Sequence, residues 1–173
     1  EGAAYAEHVI VLCEGDGRLE SDLRKEMKVR CVRLEESHDP IGERFDDSAV
    51  RVFEEVQRLF KERHKERVLV QVVVPSERLQ LFEALSGLLK TAQLEHPGFI
   101  GQLIGMNGEE EGPSMVKKLE ENAGCPMDDR IRYRDGKRWV MDWEEVQETG
   151  KEGHMPWKER GVYWITGGLG GLG

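Results

Sequence analysis

The residues best suited to chemistry stand together in GVYWITGGLGGLG, Gly161 to Gly173. Thr166, Gly167, Gly168, Leu169, Gly170, Gly171, Leu172 and Gly173 satisfy two spacings at once. One is G-x-G-x-x-G through Gly168, Gly170 and Gly173; the other is T-G-x-x-x-G-x-G through Thr166, Gly167, Gly171 and Gly173. The apolar run VYWIT leads directly into them and predicts a strand from Val162 to Thr166. A strand-to-helix turn of this kind requires glycine, because a Cβ forbids its dihedrals and blocks the approach of a dinucleotide pyrophosphate to the backbone amides. The chemistry implied is phosphate cradling, with Thr166 to Gly173 as the cofactor-contacting set. Such a cradle works with the helix that follows it, whose amides and dipole hold the phosphates. The sequence ends at Gly173 before any such helix. The expectation is an incomplete site with poor dinucleotide affinity and no catalytic residue.

A fainter copy of the same motif lies in HVIVLCEGDGRLE, His8 to Glu20. Gly15 and Gly17 follow an apolar run, but Glu20 stands where the third glycine belongs. Glu35 and Glu36 fall where a ribose-binding acid is expected, about 20 residues on. Glu14 and Asp16 put negative charge where a pyrophosphate would dock, so this first turn is read as structural and empty.

The other candidate groups point to no chemistry. His8, His38, His64, His96 and His154 are scattered without H-x-H or H-x-x-x-H spacing, which predicts no metal site. Ser76 and Ser86 lack a G-x-S-x-G elbow. Cys13, Cys31 and Cys125 are isolated, so neither a disulfide framework nor a zinc site is expected, and a reducing cytoplasm fits. Glu54 and Glu55 read as a solvated helix face. Trp139, Trp143, Trp157 and Trp164 read as rings that pack a hairpin and linker against a sheet.

Composition narrows the class. The chain has 173 residues, 38% hydrophobic and 34% charged, enough for one domain with a core. A formal charge of −9 and a pI near 5.2 disfavour nucleic acid and anionic lipid as partners. Acids interleave with the one basic cluster, Lys61 to Arg67, which reads as a solvated helix tip. No apolar run is long enough to span a membrane, and EGAAYAEHVIVLCEG lacks the basic start of a secretion signal.

The elements that would position these groups alternate. His8 to Glu14 and Val29 to Leu34 predict strands, with a polar stretch between them. Phe45, Ala49, Val52, Phe53, Val56, Leu59 and Phe60 mark one face of a helix from Phe45 to Arg63, with Asp46, Asp47 and Ser48 as acceptors at its start. Arg67 to Val74 predicts a central strand covered on both faces and ended by Pro75. Leu79 to Leu94 predicts a helix, Phe99 to Met106 a strand, and Ser114 to Asn122 a short helix capped by Ser114. Asp135-Gly136 between Ile131 to Arg134 and Lys137 to Trp143 predicts a hairpin. Gln147 to Lys158 has no apolar period and reads as a linker. The fold class is α/β: a truncated Rossmann-like, mostly parallel sheet flanked by helices, with right-handed crossovers and an antiparallel hairpin near the C-terminus.

Three blocks in order, LFEALSGLLKTAQLEHPGFIGQLI (Leu81 to Ile104), IRYRDGKRWV (Ile131 to Val140) and PWKERGVYWITGGLGGLG (Pro156 to Gly173), closely resemble the ketoreductase domain of modular polyketide synthases, most of all those of trans-acyltransferase assembly lines. That family pairs a truncated Rossmann subdomain that binds no cofactor with a catalytic short-chain dehydrogenase/reductase subdomain that binds NADPH and reduces a β-ketoacyl chain on an acyl carrier protein. The resemblance implies a structural subdomain at residues 1–146, a linker at 147–161, and the first strand and glycine loop of the catalytic subdomain at 162–173. It implies no cofactor for this chain itself and NADPH for the parent domain. The implied partners are the catalytic subdomain, neighbouring synthase domains and the carrier protein. The implied role is bracing; the competing one is an autonomous scaffold that docks neighbouring domains or the carrier protein.

Overall fold

The computed structural model describes residues 5–14, 17–27, 29–34, 40–62, 64–107, 112–145 and 157–164. The elements in chain order are β1 (Glu7–Cys13), α1 (Gly17–Glu26), β2 (Arg30–Leu34), α2 (Ile41–Glu62), β3 (Val68–Pro75), a 3-10 turn (Ser76–Arg78), α3 (Leu79–Phe82), α4 (Leu85–Glu95), β4 (Phe99–Met106), α5 (Gly112–Ala123), β5 (Arg130–Arg134) and β6 (Lys137–Val140). The strands form one sheet in the order β2-β1-β3-β4-β5-β6. Every neighbouring pair is parallel except β5 with β6, which is antiparallel. Chain contacts divide the molecule into two compact units, Glu1–Asp142, which holds the sheet, and Trp143–Gly173. Among the described residues, no helix is long and apolar enough to cross a membrane.

The strands read as continuous apolar runs because both faces of the sheet are clad. Val9, Val11, Val70, Val72, Phe99 and Leu103 point to one side, where Val52, Val56 and Leu59 of α2 and Leu85 and Leu89 of α4 cover them. Ile10, Leu12, Val73 and Ile104 point to the other, under Leu19 and Leu23 of α1 and Met115, Val116 and Leu119 of α5. In the β5–β6 hairpin, Asp135 (φ 52°) and Gly136 (φ 70°) both take positive φ, the signature of a type I′ turn and the reason Asp-Gly suits it.

Several elements differ from expectation. The polar stretch after β1 is helix α1; its buried face is only Leu19 and Leu23, too narrow a stripe for periodicity to reveal. Helix α2 begins at Ile41, just after Pro40, rather than at Phe45. Asp46 to Ser48 therefore lie inside it, and buried Ser48 donates its hydroxyl back to the Arg44 carbonyl (2.9 Å) instead of capping a terminus. Phe53, assigned to the apolar face, is exposed. The single helix expected from Leu79 is α3 and α4 separated at Glu83 and Ala84. Ser114 lies inside α5, which starts at Gly112.

The crossovers are not all of one hand. β1 to β2 and β4 to β5 run in opposite directions across the sheet, yet α1 and α5 lie on the same face, so these two connections have opposite hands. The crossovers through α2 and α4 reverse both direction and face relative to α1 and so share its hand. Three agree, which makes them the right-handed set and β4–α5–β5 the left-handed exception. The physical reason is coverage: without α5, Val73, Ile104 and Met106 would have only α1 to cover their face.

Candidate functional site

In an open sheet of this order, chains leave β1 in one direction and reach β3 in the other, and the carboxyl ends of β1 and β3 frame the crevice where such folds hold a ligand. Glu14 follows β1 directly, with φ 59°, a left-handed conformation that non-glycine residues adopt at a cost. Its side chain, 6% exposed, turns into the crevice and forms ion pairs with Arg44 of α2 and with Arg78 of the turn after β3 (2.7 Å). Arg44 is 17% exposed and Arg78 39% exposed. A cleft of about 780 Å³ opens beside this cluster between β2 and α2. Its wall mixes Arg33, Arg44 and Arg51 with Glu14, Asp47 and Glu54, and Arg51 pairs with Glu54 at 3.1 Å. Glu20, at the third glycine position of the first turn, is likewise engaged, with Arg24 (2.7 Å) and Arg33 (3.3 Å). Glu14, expected to repel a pyrophosphate at the first turn, is a paired charge, held by Arg44 and Arg78 far away in sequence.

The predicted cofactor set, Thr166, Gly167, Gly168, Leu169, Gly170, Gly171, Leu172 and Gly173, lies outside the described residues, as do Gly15, Asp16, Glu35, Glu36, His38 and His154. The strand expected from Val162 is corrected over its described part: Val162 to Trp164 belong to no strand. No strand among the described residues pairs with them, and without a ladder an extended segment satisfies none of its backbone groups as a strand does. Within this unit Trp157 packs edge-on against Tyr163 with centroids 4.7 Å apart, and the Tyr163 hydroxyl accepts from the Lys158 amide.

The histidines serve packing and hydrogen bonding. His8 Nε2 donates to Gln71 Oε1 (2.9 Å), and burial lowers its pKa, with that hydrogen bond partly opposing the shift. Gln71 passes the network on: its Nε2 donates to Gln102 Oε1 (2.9 Å) and to the Leu119 carbonyl (3.0 Å). Gln102 Nε2 then donates to the carbonyls of Asn122 (3.0 Å) and Cys125 (2.9 Å). Asn122 gives Nδ2 to the Tyr133 hydroxyl (3.2 Å) and accepts at Oδ1 from Arg138 Nε (2.8 Å). Gln71, Gln102 and Asn122 are fully buried. Periodicity missed them because a single glutamine in VLVQVVV or FIGQLIGM does not disturb an apolar run. His96 stacks on Phe60 with centroids 3.9 Å apart.

Glu7, Glu62 and His64 bring three potential metal donors within 4.8 Å of one another. A guanidinium already occupies that charge position, since Arg58 contacts Glu7 at 2.6 Å and Glu62 at 2.9 Å. Burial pushes the Cys13 thiol up to about 12 and, with Glu20 nearby, the Cys31 thiol up to about 11, so both stay protonated and unreactive. The packing role expected of the tryptophans is also corrected in part. Trp139 is 58% exposed on edge strand β6, beside exposed Val140 and Met141. These three rim a cavity of about 240 Å³ whose floor is Leu79, Leu103 and Ile131.

Comparison with known proteins places this chain. It is 40% identical over 98% of its length to polyketide synthase PksN and 39% identical over 98% to polyketide synthase PksL, both of Bacillus subtilis (strain 168). Polyketide synthase ThaG of Burkholderia thailandensis is 29% identical over 99% of the chain. The chain spans 3% of PksN, 4% of PksL and 3% of ThaG. Among solved structures, a ketoreductase domain from the bacillaene assembly line superposes with a TM-score of 0.75 at 34% identity, over 86% of this chain and 36% of that one. No family model matches the chain. The chain is homologous to a ketoreductase-related region of polyketide synthases.

Proposed function

We propose that this chain, as a ketoreductase-related region of a polyketide synthase, is the non-catalytic half of a β-ketoreductase and braces the half that reduces the substrate. In this reading residues 1–146 are the bracing subdomain, 147–161 a linker, and 162–173 the opening of the catalytic half. Thr166 to Gly173 contribute there to an NADPH phosphate cradle, and the parent domain reduces β-ketoacyl chains on an acyl carrier protein in the cytoplasm.

The observation that carries the reading is the Glu14 carboxylate in the crevice between β1 and β3. A nucleotide would have to displace an ion pair in order to enter there. The exposed apolar edge formed by Trp139, Val140 and Met141 supports the bracing part, because an apolar patch rimmed by polar groups is the usual mark of a covered surface. The same edge would serve the alternative, an autonomous module that docks neighbouring domains or carrier protein.

The test is NADPH oxidation followed by absorbance with a β-ketoacyl thioester. The chain alone gives no turnover, and co-expression with the remainder of the ketoreductase domain gives a soluble complex that turns over. Turnover by the chain alone overturns the non-catalytic reading. Failure of two soluble halves to associate overturns bracing, and retention of carrier protein by the chain alone favours the docking alternative.

A further inference from the structure

We infer that Glu14 is an internal ligand: its carboxylate fills an oxyanion site built by Arg44 and Arg78 at the carboxyl ends of β1 and β3, and removing it uncovers a binding site for a phosphate-class anion such as pyrophosphate. The inference deepens the reading of this chain as the cofactor-free half, and the experiment below separates the two.

Three observations converge. The first is place, since sheets of this strand order hold anionic ligands at the β1/β3 switch point, and Glu14, Arg44 and Arg78 come from the ends of β1, the start of α2 and the end of β3. The second is chemistry: two guanidiniums meet one carboxylate that is only 6% exposed, Arg78 through a hydrogen bond (2.7 Å) and Arg44 through an ion pair that leaves its buried Nε and Nη2 without a hydrogen-bond acceptor, donors that an anion with more oxygens can satisfy. The third is backbone conformation. Glu14 holds φ 59°, where glycine would be unstrained, so the fold keeps a strained residue at a position from which its carboxylate reaches both arginines. A phosphate loop with glycine at that position would leave the Arg44 guanidinium facing an incoming anion. Here the chain supplies the anion itself and thereby ties β1, α2 and the β3 turn together.

The strain also makes the experiment practicable. Glu14→Gly removes the carboxylate and at the same time relieves the left-handed conformation, so loss of the ion pairs is partly offset and the variant folds. Inorganic pyrophosphate is titrated calorimetrically into the wild-type chain, Glu14→Gly, and Glu14→Gly combined with Arg44→Gln, at constant ionic strength set with potassium chloride. Glu14→Gly binds at least about tenfold more tightly than wild type, equivalent to about 1.4 kcal/mol, and Arg44→Gln abolishes the gain. Pyrophosphate also raises the melting temperature of Glu14→Gly but not that of wild type, a readout that serves even where the variant is only marginally folded. Equal affinity of wild type and Glu14→Gly, or a gain that survives Arg44→Gln, overturns the inference. Either result leaves the co-expression test of bracing untouched, and failure of that test leaves this one untouched.

Discussion

Replacing Gln102 with leucine tests whether the buried amide network holds α5 to the sheet. Gln102 is fully buried, and its Nε2 donates to the carbonyls of Asn122 (3.0 Å) and Cys125 (2.9 Å) where α5 ends, each of which also accepts a backbone amide, from Cys125 (2.9 Å) and Asp128 (3.1 Å). Leucine matches its size and removes both donors. Each of the two lost hydrogen bonds costs about 0.5–1.5 kcal/mol, the Gln71 proton left without its acceptor about 1–3 kcal/mol, and better burial of the apolar side chain returns about 1–2 kcal/mol. Gln71 loses its acceptor on Gln102 but keeps the Leu119 carbonyl at 3.0 Å, which limits further loss. The net expectation is destabilisation by about 2 kcal/mol, which at this chain length lowers the melting temperature by roughly 4–8 °C. Urea unfolding followed by far-ultraviolet circular dichroism measures it directly. A cycle with Gln71→Leu should show the two losses to be non-additive by about 1 kcal/mol, because the residues share a bond. Gln102→Leu within about 0.5 kcal/mol of wild type would refute the reasoning, since it means that the side-chain bonds add nothing to the backbone bonds these carbonyls already accept.

Two further substitutions and a pH titration probe the same core. In Gly101→Ala the new Cβ would lie 2.6 Å from Leu89 Cβ, an atom fixed to the α4 backbone, so the helix must shift; a loss of about 1–3 kcal/mol in urea unfolding is expected. Gly87→Ala, in α4 with nothing within 4 Å of its added Cβ, instead stabilises by about 0.5–1 kcal/mol, and the opposite signs check the geometry of one helix from two sides. His8 has its pKa lowered in the folded state, so its neutral form is favoured there; the stability it contributes is complete above the ordinary value of 6.5 and is lost as pH falls below it. Thermal melts of wild type and His8→Gln between pH 7.5 and 5 should therefore diverge, wild type losing more on acidification, and parallel curves would contradict the assignment.

Much of the sheet is legible in the sequence because its chemistry is local. β1, β3 and β4 are buried on both faces and appear as unbroken apolar runs, and Asp135-Gly136 announces its own turn. The long apolar stripe of α2 is equally plain, while α1, with only Leu19 and Leu23 buried, gives no period to detect. The site was legible only in half. Position and sign of charge at Glu14 follow from its place after an apolar run, but its meaning depends on Arg78, 64 positions away, and no local pattern reports that distance. The glutamines were hidden for the same reason: each reads as an isolated polar residue until the sheet sets Gln71 opposite Gln102.

The topology and the network explain each other. A right-handed β4–α5–β5 connection would place α5 beside α2 and α4 and leave Val73, Ile104 and Met106 covered by α1 alone. On the face it does occupy, α5 ends with backbone donors on its last carbonyls, Gly124 N to Glu120 and Glu121 and Cys125 N to Asn122, and the Leu119 and Asn122 carbonyls face the sheet with room for a second donor. An apolar strand offers no such second donor, since its backbone amides are committed to the ladder. Gln71 and Gln102, adjacent in the β3–β4 register, supply side-chain donors to Leu119, Asn122 and Cys125. Two polar residues in otherwise apolar strands thus tie the end of the helix to this face. These side-chain bonds favour the path α5 takes, because the same helix over the opposite face would meet Val70, Val72 and Leu103, which carry no donor.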